Sequence, residues 1–255
     1  MDIRLTFNED AENYDRWRPH YCKELFQDIM AYSQIGQGGQ VLEIGIGTGQ
    51  ATRPFLEAGC ELTAIELGKD LADYSELKFR EYNNFAVHHT SFEEFTGPED
   101  SADLIYSATA FHWIPEQIGY PKVSRLLRND GALALFWNRP FAARENDELH
   151  QNIQRIYQKY RPSTAKIIEH DTERYNAISQ NLHTHGFRDI QFKLYHLTRT
   201  FSSADYISLL NTYSDHRSMT SAAREQLEDE IQAAIMQFGD VLHIYDTIDL
   251  HLARK

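Results

Sequence analysis

The sequence predicts an α/β protein: a doubly wound, mostly parallel seven-stranded sheet with helical additions at the N-terminus and after the fifth strand. Three observations carry this expectation. Short apolar runs alternate with amphipathic stretches through residue 138, as in βαβ units around a parallel sheet. Glycine, proline and Asn-Asp-Gly signals fall at the boundaries between them. Two further alternating runs near the C-terminus bring the strand count to seven. A chain of 255 residues suits one large domain, which at this size buries roughly 70–75% of its unfolded surface without a disulfide or metal staple.

In chain order, EDAENYDRWR (9–18) reads as a helix halted by Pro19, and KELFQDIMAYSQI (23–35) as a second before the glycine-rich QGGQ. QVLEIG (40–45) is the first strand, and QATRPFLEAG (50–59) is a helix closed by Gly59. ELTAIEL (61–67), the helix KDLADYSELKFREY (69–82) and FAVHHTS (85–91) follow. ADLIYSATAF (102–111) is the fourth strand, and the helix beginning at Pro115 ends at the turn Asn129-Asp130-Gly131 before ALALFWN (132–138). Residues 141–188 turn polar and helical, an insertion on the sheet. DIQFKLYHLTRTF (189–201) alternates as a strand, two helices follow, and DVLHIYDTIDLHLAR (240–254) closes as the last strand. The organisation is a single domain over 1–255: N-terminal helices (1–36), a cofactor-binding core (37–140), the insertion (141–188), and C-terminal strands with cap helices (189–255).

Twenty-five Lys and Arg against 38 Asp and Glu give a net charge of −13, which disfavours a nucleic-acid partner because a phosphate backbone is repelled. The acidity is uneven. Residues 1–140 hold 12 basic and 22 acidic residues, whereas 151–199 hold eight and four, a local excess of base that a solvated helix face or an acidic substrate would explain. Cys22 and Cys60 form no CxxC pair, and so few cysteines fit a reducing compartment. MDIRLTFNED lacks the regions of a signal peptide, and no apolar run approaches the roughly 18 residues of a membrane helix. A cytoplasmic protein with no membrane partner is expected. HExxH, zinc spacing, GxSxG and GxxxxGK[ST] are absent, so no metal, hydrolase elbow or phosphate loop is assigned.

Val41-Leu42-Glu43-Ile44-Gly45-Ile46-Gly47-Thr48-Gly49 runs from a buried strand into a helix. Glycine there permits positive φ and close approach of a ligand, and the helix start offers free N–H groups. The spacing GxGxG differs from the GxGxxG of hydride-transfer enzymes. Glu66, at the end of the next strand, can accept hydrogen bonds from both hydroxyls of a ribose. Glu43 lies inside a strand, where an unpaired carboxylate is costly; it either faces the ligand or the loop amides, or pairs with a structural base.

At these residues the chain resembles the class I S-adenosylmethionine-dependent methyltransferases, which have a Rossmann-like fold, and VLEIGIGTGQAT is similar to their first motif. Ala108-Thr109-Ala110-Phe111-His112-Trp113 resembles the AxAFHW signature of small-molecule members, methyltransferase type 11 and trans-aconitate methyltransferase-like. Ala11-x-x-Tyr14-x-x-x-Arg18-Pro19-x-Tyr21 resembles that group's N-terminal helix, and LLRNDGALALFWN its fifth strand. The likeness covers about residues 5–140 well and the rest loosely.

The resemblance implies S-adenosylmethionine as cofactor, with Gly45, Gly47 and Gly49 around its methionine and ribose parts, Glu66 on the ribose hydroxyls, Leu67 beside the adenine, and Ala108 also among the cofactor-binding residues. Where many members carry an Asp after the third strand, this chain reads Thr90-Ser91-Phe92, so Ser91 and Phe92 would meet the adenine, unless Phe92 is core. Tyr14, Arg18 and Tyr21 would close over the cofactor, with Arg18 meeting the methionine carboxylate or a substrate acid, or else pairing with Asp15 or Glu12 at the surface. Methyl transfer is an in-line displacement that needs little beyond positioning. A carboxylate acceptor needs no base, and for a hydroxyl or amine His112 would serve as one. Trp113, Asn138 and Arg139 sit at the same sheet edge, and Tyr213, Ser214 and His216 in NTYSDHR lie where the family tends to build its acceptor pocket. The expected activity is methyl transfer to a small-molecule substrate, with a carboxylic acid as the candidate acceptor. Two alternatives stay open: a nicotinamide-dependent oxidoreductase and a non-catalytic cofactor-binding regulatory module.

Overall fold

A computed structural model describes residues 11–164 and 168–255. The expected helix start at Glu9 and Asp10, and Lys166 of the basic stretch, lie outside the described residues. Seven strands, β1 (Gln40–Ile44), β2 (Glu61–Glu66), β3 (Phe85–His89), β4 (Ala102–Ala108), β5 (Leu127–Phe141), β6 (Arg188–Phe201) and β7 (Leu242–Arg254), form one sheet. Their order is β3-β2-β1-β4-β5-β7-β6. The first five strands pair in parallel, and β7 inserts antiparallel between β5 and β6. The chain winds outward from β1 to β3 and then returns to β4. The carboxyl ends of β1 and β4 therefore flank a switch point, where open parallel sheets bind ligands.

Ten helices are described: α1 (Ala11–Trp17), α2 (Lys23–Ser33), α3 (Arg53–Glu57), α4 (Lys69–Lys78), α5 (Glu116–Leu126), α6 (Glu148–Tyr160), α7 (Thr172–Thr184), α8 (Ser203–Leu210), α9 (Ser214–Arg217) and α10 (Ser221–Gln237). Leu25 and Ile29 of α2 and Phe55 of α3 pack on one sheet face against Leu62, Leu104 and Phe136. Val123 and Leu126 of α5 and Leu182 of α7 cover the other face, against Ile105, Leu133 and Leu135. Each such side chain contributes about 1.5–3 kcal/mol on burial. A third cluster, with Ile153 of α6, Leu209 of α8 and Leu227, Ile231 and Ile235 of α10, forms the cap over the far ends of β6 and β7. Side chains of Asp147, Asp171, Ser202 and Thr220 cap α6, α7, α8 and α10. No helix among the described residues is long and apolar enough to cross a membrane.

Two boundaries differ from the sequence expectation. β4 stops at Ala108 because Thr109 turns left-handed, with φ 55°, and Phe111–Trp113 winds into one 3₁₀ turn instead of continuing the strand. Asn129-Asp130-Gly131 does not precede β5 but lies within it. The register slips there, with Ala102 opposite Leu127 and Leu104 opposite Ala132, and Asp130 adopts φ 63°.

Candidate active site

The glycine turn leaves β1 with Gly45, Gly47 and Gly49 all at positive φ, between 58° and 79°. Each serves a different need. A Cβ on Gly45 would stand 2.5 Å from that of Ala110, and one on Gly49 only 2.3 Å from the Phe79 ring. A Cβ on Gly47 would fill the gap towards the Tyr14 ring, 3.5 Å away. Glu66, at the end of β2, accepts from Gly47 N and Gly68 N, each at 2.8 Å. Its carboxyl pKa is raised by burial, a shift that these two amides oppose.

A cavity of about 300 Å³ opens at this point. Gly45, Gly47, Glu66 and Leu67 form one wall, Ser91, Phe92 and Ala108 another, and His112, Trp113, Tyr14, Arg18 and Tyr213 the remainder. Ser214, expected in the acceptor pocket, lines it as well, together with Thr90, Glu93, Thr109 and Asp215, which were given no role at the site from the sequence. Ser91 Oγ accepts from Glu94 N at 3.1 Å, and the Phe92 ring is buried in the core beneath Lys122, whose Nζ is 5.2 Å from its centroid. A smaller chamber of about 80 Å³ adjoins, lined by Tyr14, Arg18, Tyr21, Thr109, Asn138 and Tyr213 among others.

The N-terminal segment closes over the turn. Asp15 of α1 accepts from Lys78 Nζ at 2.6 Å and from Tyr74 Oη at 3.1 Å, and Lys78 also donates to Thr48 O. Asp15 is thus engaged by Lys78, while Arg18 turns the other way. Its guanidinium lies between the rings of Tyr14 and Tyr213, at 4.6 and 4.7 Å, and donates to Thr212 O at 2.6 Å. A cation between two aromatic faces gains from both quadrupoles.

Thr109 joins the two chambers. Its Oγ1 lies 2.9 Å from Tyr21 Oη and accepts from Asn138 N at 3.2 Å. A β-branched residue at φ 55° is strained, and such strain persists only where surrounding contacts fix it. No sequence pattern marks it. Asn138 is 8% exposed and lines the small chamber, and neither amide atom has a hydrogen-bond partner among the described residues. Trp137 Nε1 donates to His112 Nδ1 at 3.0 Å. Burial, helped by Arg174 and Arg139, pulls the His112 pKa down to about 4.

Four of the singled-out residues line neither chamber. Glu43 is buried under the turn, accepts from Thr52 Oγ1 at 2.7 Å, and is pushed up to about 8 by burial. Arg139 is engaged by the buried Asp249 through two bonds, at 2.6 and 3.2 Å. His216 is buried in the cap, with Nε2 3.1 Å from Tyr157 Oη, and its pKa is lowered to about 4 by burial. Gly49, too, meets Phe79 rather than the cavity. Among the described residues, no group of three or more His, Cys, Asp or Glu converges as a metal site.

A methyltransferase-domain family profile matches residues 41–131. An uncharacterised methyltransferase of Schizosaccharomyces pombe is 23% identical over 235 residues, 91% of this chain and 88% of that one. The ribosomal RNA small subunit methyltransferase A of Clostridium botulinum is 31% identical over 134 residues, 49% of this chain and 46% of that one. The chain spans about half the length of several curated relatives it matches. The fold is shared with Haemonchus contortus phosphoethanolamine N-methyltransferase 2, solved with phosphomonomethylethanolamine and S-adenosylhomocysteine, at TM-score 0.58 and 13% identity over 100% of this chain and 60% of that one. The profile covers the strands that frame the glycine turn, and over those residues the chain is similar to a methyltransferase domain.

Proposed function

We propose that the protein transfers a methyl group from S-adenosylmethionine to a small anionic acceptor, a carboxylic acid of the kind taken by trans-aconitate methyltransferase-like members. The residues present fit the cofactor. Glu66 turns a carboxylate towards the cavity from two backbone amides, and Gly47 leaves the space that a side chain would fill. Glu66 would hold the ribose, Gly45 and Gly47 the adjoining chain, and Leu67, Ser91 and Phe92 the base, with Ala108 at the junction. When bound, the cofactor supplies a methyl group activated by positively charged sulfur.

The observation that carries the acceptor class is the small chamber. Arg18 presents a cation held by Tyr14 and Tyr213, and the buried Asn138 amide lines the same space without a partner among the described residues. A buried amide without a partner is costly until a ligand satisfies it. A carboxylate, which accepts from both a guanidinium and an amide, suits that pair. Tyr21 and Thr109 would orient the acceptor, and Trp113 would help exclude water. Arg139 and His216 would support the pocket through Asp249 and Tyr157 without touching the acceptor.

Calorimetry with S-adenosylhomocysteine and with NAD tests the cofactor, and binding of NAD alone would overturn the reading. Turnover of labelled methyl groups over panels of carboxylic acids, phenols, amines and RNA oligonucleotides tests the acceptor. Carboxylic acids are expected to react. Reaction of RNA alone would favour the chemistry of the ribosomal relative, against which the −13 charge argues. Cofactor binding with no turnover on any panel would favour a regulatory module. A cytoplasmic location is part of the same proposal.

A further inference from the structure

Trp137 is 4% exposed on β5, so its indole N–H needs a protein partner, and His112 Nδ1 at 3.0 Å provides it. An indole nitrogen only donates, so Nδ1 must carry a lone pair. A neutral imidazole has one proton, which therefore resides on Nε2. His112 lines the cavity, and Nε2 has no partner among the described residues. The ring also lies against Trp113, with centroids 4.8 Å apart and planes tilted by 39°.

We propose that His112 acts as a fixed N–H donor from Nε2 to the acceptor, locked in that tautomer by Trp137, and not as a base. Trp137 is thus a positioning residue. The proposal rests on the methyl-transfer reading and assigns one residue's part in it. To act as a base through Nε2, the ring would have to move its proton to Nδ1 and break the Trp137 bond.

An imidazolium would set an N–H against the indole N–H. Arg139 on β5 and Arg174 on α7 further oppose the charge, and burial lowers the pKa in the same sense. The neighbouring carboxylates are largely engaged elsewhere. Asp249 on β7 holds Arg139, Asp215 in the cap holds Arg161, and Glu66 holds two amides, while Glu93 lies on the cavity wall. A donor without a base suits an acceptor that is already an anion. One carboxylate oxygen forms the C–O bond as the methyl–sulfur bond breaks, the electron pair goes to sulfur, and no proton is released. The other oxygen can accept from Nε2.

Nitrogen-resolved NMR of the His112 imidazole, with and without S-adenosylhomocysteine, tests the lock between about pH 5.5 and 8, where an ordinary histidine titrates. The expected result is protonated Nε2 and bare Nδ1 throughout. Trp137→Phe should mix the tautomers and return titration towards the ordinary value of 6.5. Protonated Nδ1 in the wild type, or titration across this range, would overturn the lock. On the carboxylic-acid panel, His112→Ala should lower kcat/KM about 10- to 100-fold. His112→Gln, which keeps an N–H near Nε2, should recover about tenfold of that loss. Equal loss in both, with a neutral pH limb abolished in both, would establish a base instead. Wild-type protein that binds no S-adenosylhomocysteine would count against methyl transfer, while the tautomer would still be read directly.

Discussion

The two sides of the cavity are built by different means. On the side proposed for the cofactor, β1, β2 and the turns after them supply backbone amides, three positive-φ glycines and one carboxylate, all between residues 45 and 68. On the side proposed for the acceptor, Arg18, Thr109, Asn138 and Tyr213 meet from four segments spread over 195 residues. A wall made of backbone tolerates little change in the chain that forms it. A wall made of converging side chains can change its ligand while the sheet stays as it is.

Gly49→Ala is expected to give the largest effect, because it joins φ 79° to a 2.3 Å approach on the Phe79 ring. Left-handed strain and overpacking together should cost about 3–5 kcal/mol, read as a lower midpoint in denaturant. Little loss would show that the turn is softer than its geometry implies. Glu66→Ala comes next. S-adenosylhomocysteine affinity measured by calorimetry should fall about 10- to 100-fold, the worth of hydrogen bonds to a charged group.

Glu43 tests whether the floor of the cofactor side also carries a pH dependence. Its folded pKa, about 8, lies above the ordinary 4.5, so the folded state binds the extra proton. That stabilisation is complete below pH 4.5 and is withdrawn as pH rises to about 8. The slope approaches about 1.4 kcal/mol per pH unit, and Glu43→Gln should flatten it in denaturation measured across that range. Arg18→Ala gives the smallest expected change and separates the two sides most cleanly. KM for an anionic acceptor should rise about five- to tenfold, as expected for a lost cationic contact. S-adenosylhomocysteine affinity should change less than about threefold, and an equal loss of both would make the two walls one unit.

The local signals in the sequence lie mainly on the cofactor side. Gly45, Gly47 and Glu66 could be picked out because positive φ and close approach leave few residue choices, and those choices fall at fixed spacing. On the acceptor side, Arg18, Tyr213 and Asn138 could be named from their likeness to a family but not from any local rule. Arg139 shows why. It lies one residue from Asn138, yet pairing sets Asn138 opposite Ile248 and leaves Arg139 to the buried Asp249. Neighbours on a strand face opposite ways, and the strand partner decides which side meets the cavity.

The sequence by itself determined the alternation of strands and helices, the glycine turn, the carboxylate at the end of β2 and the acidic balance, because periodicity, backbone sterics and charge act over a few residues. Only the tertiary structure decided that β4 ends at a strained Thr109, that Glu43 lies under the turn and not in the cavity, and that Trp137 holds one nitrogen of His112. Those outcomes depend on which distant segments pack together. Burial and hydrogen-bond direction exist only once they have met.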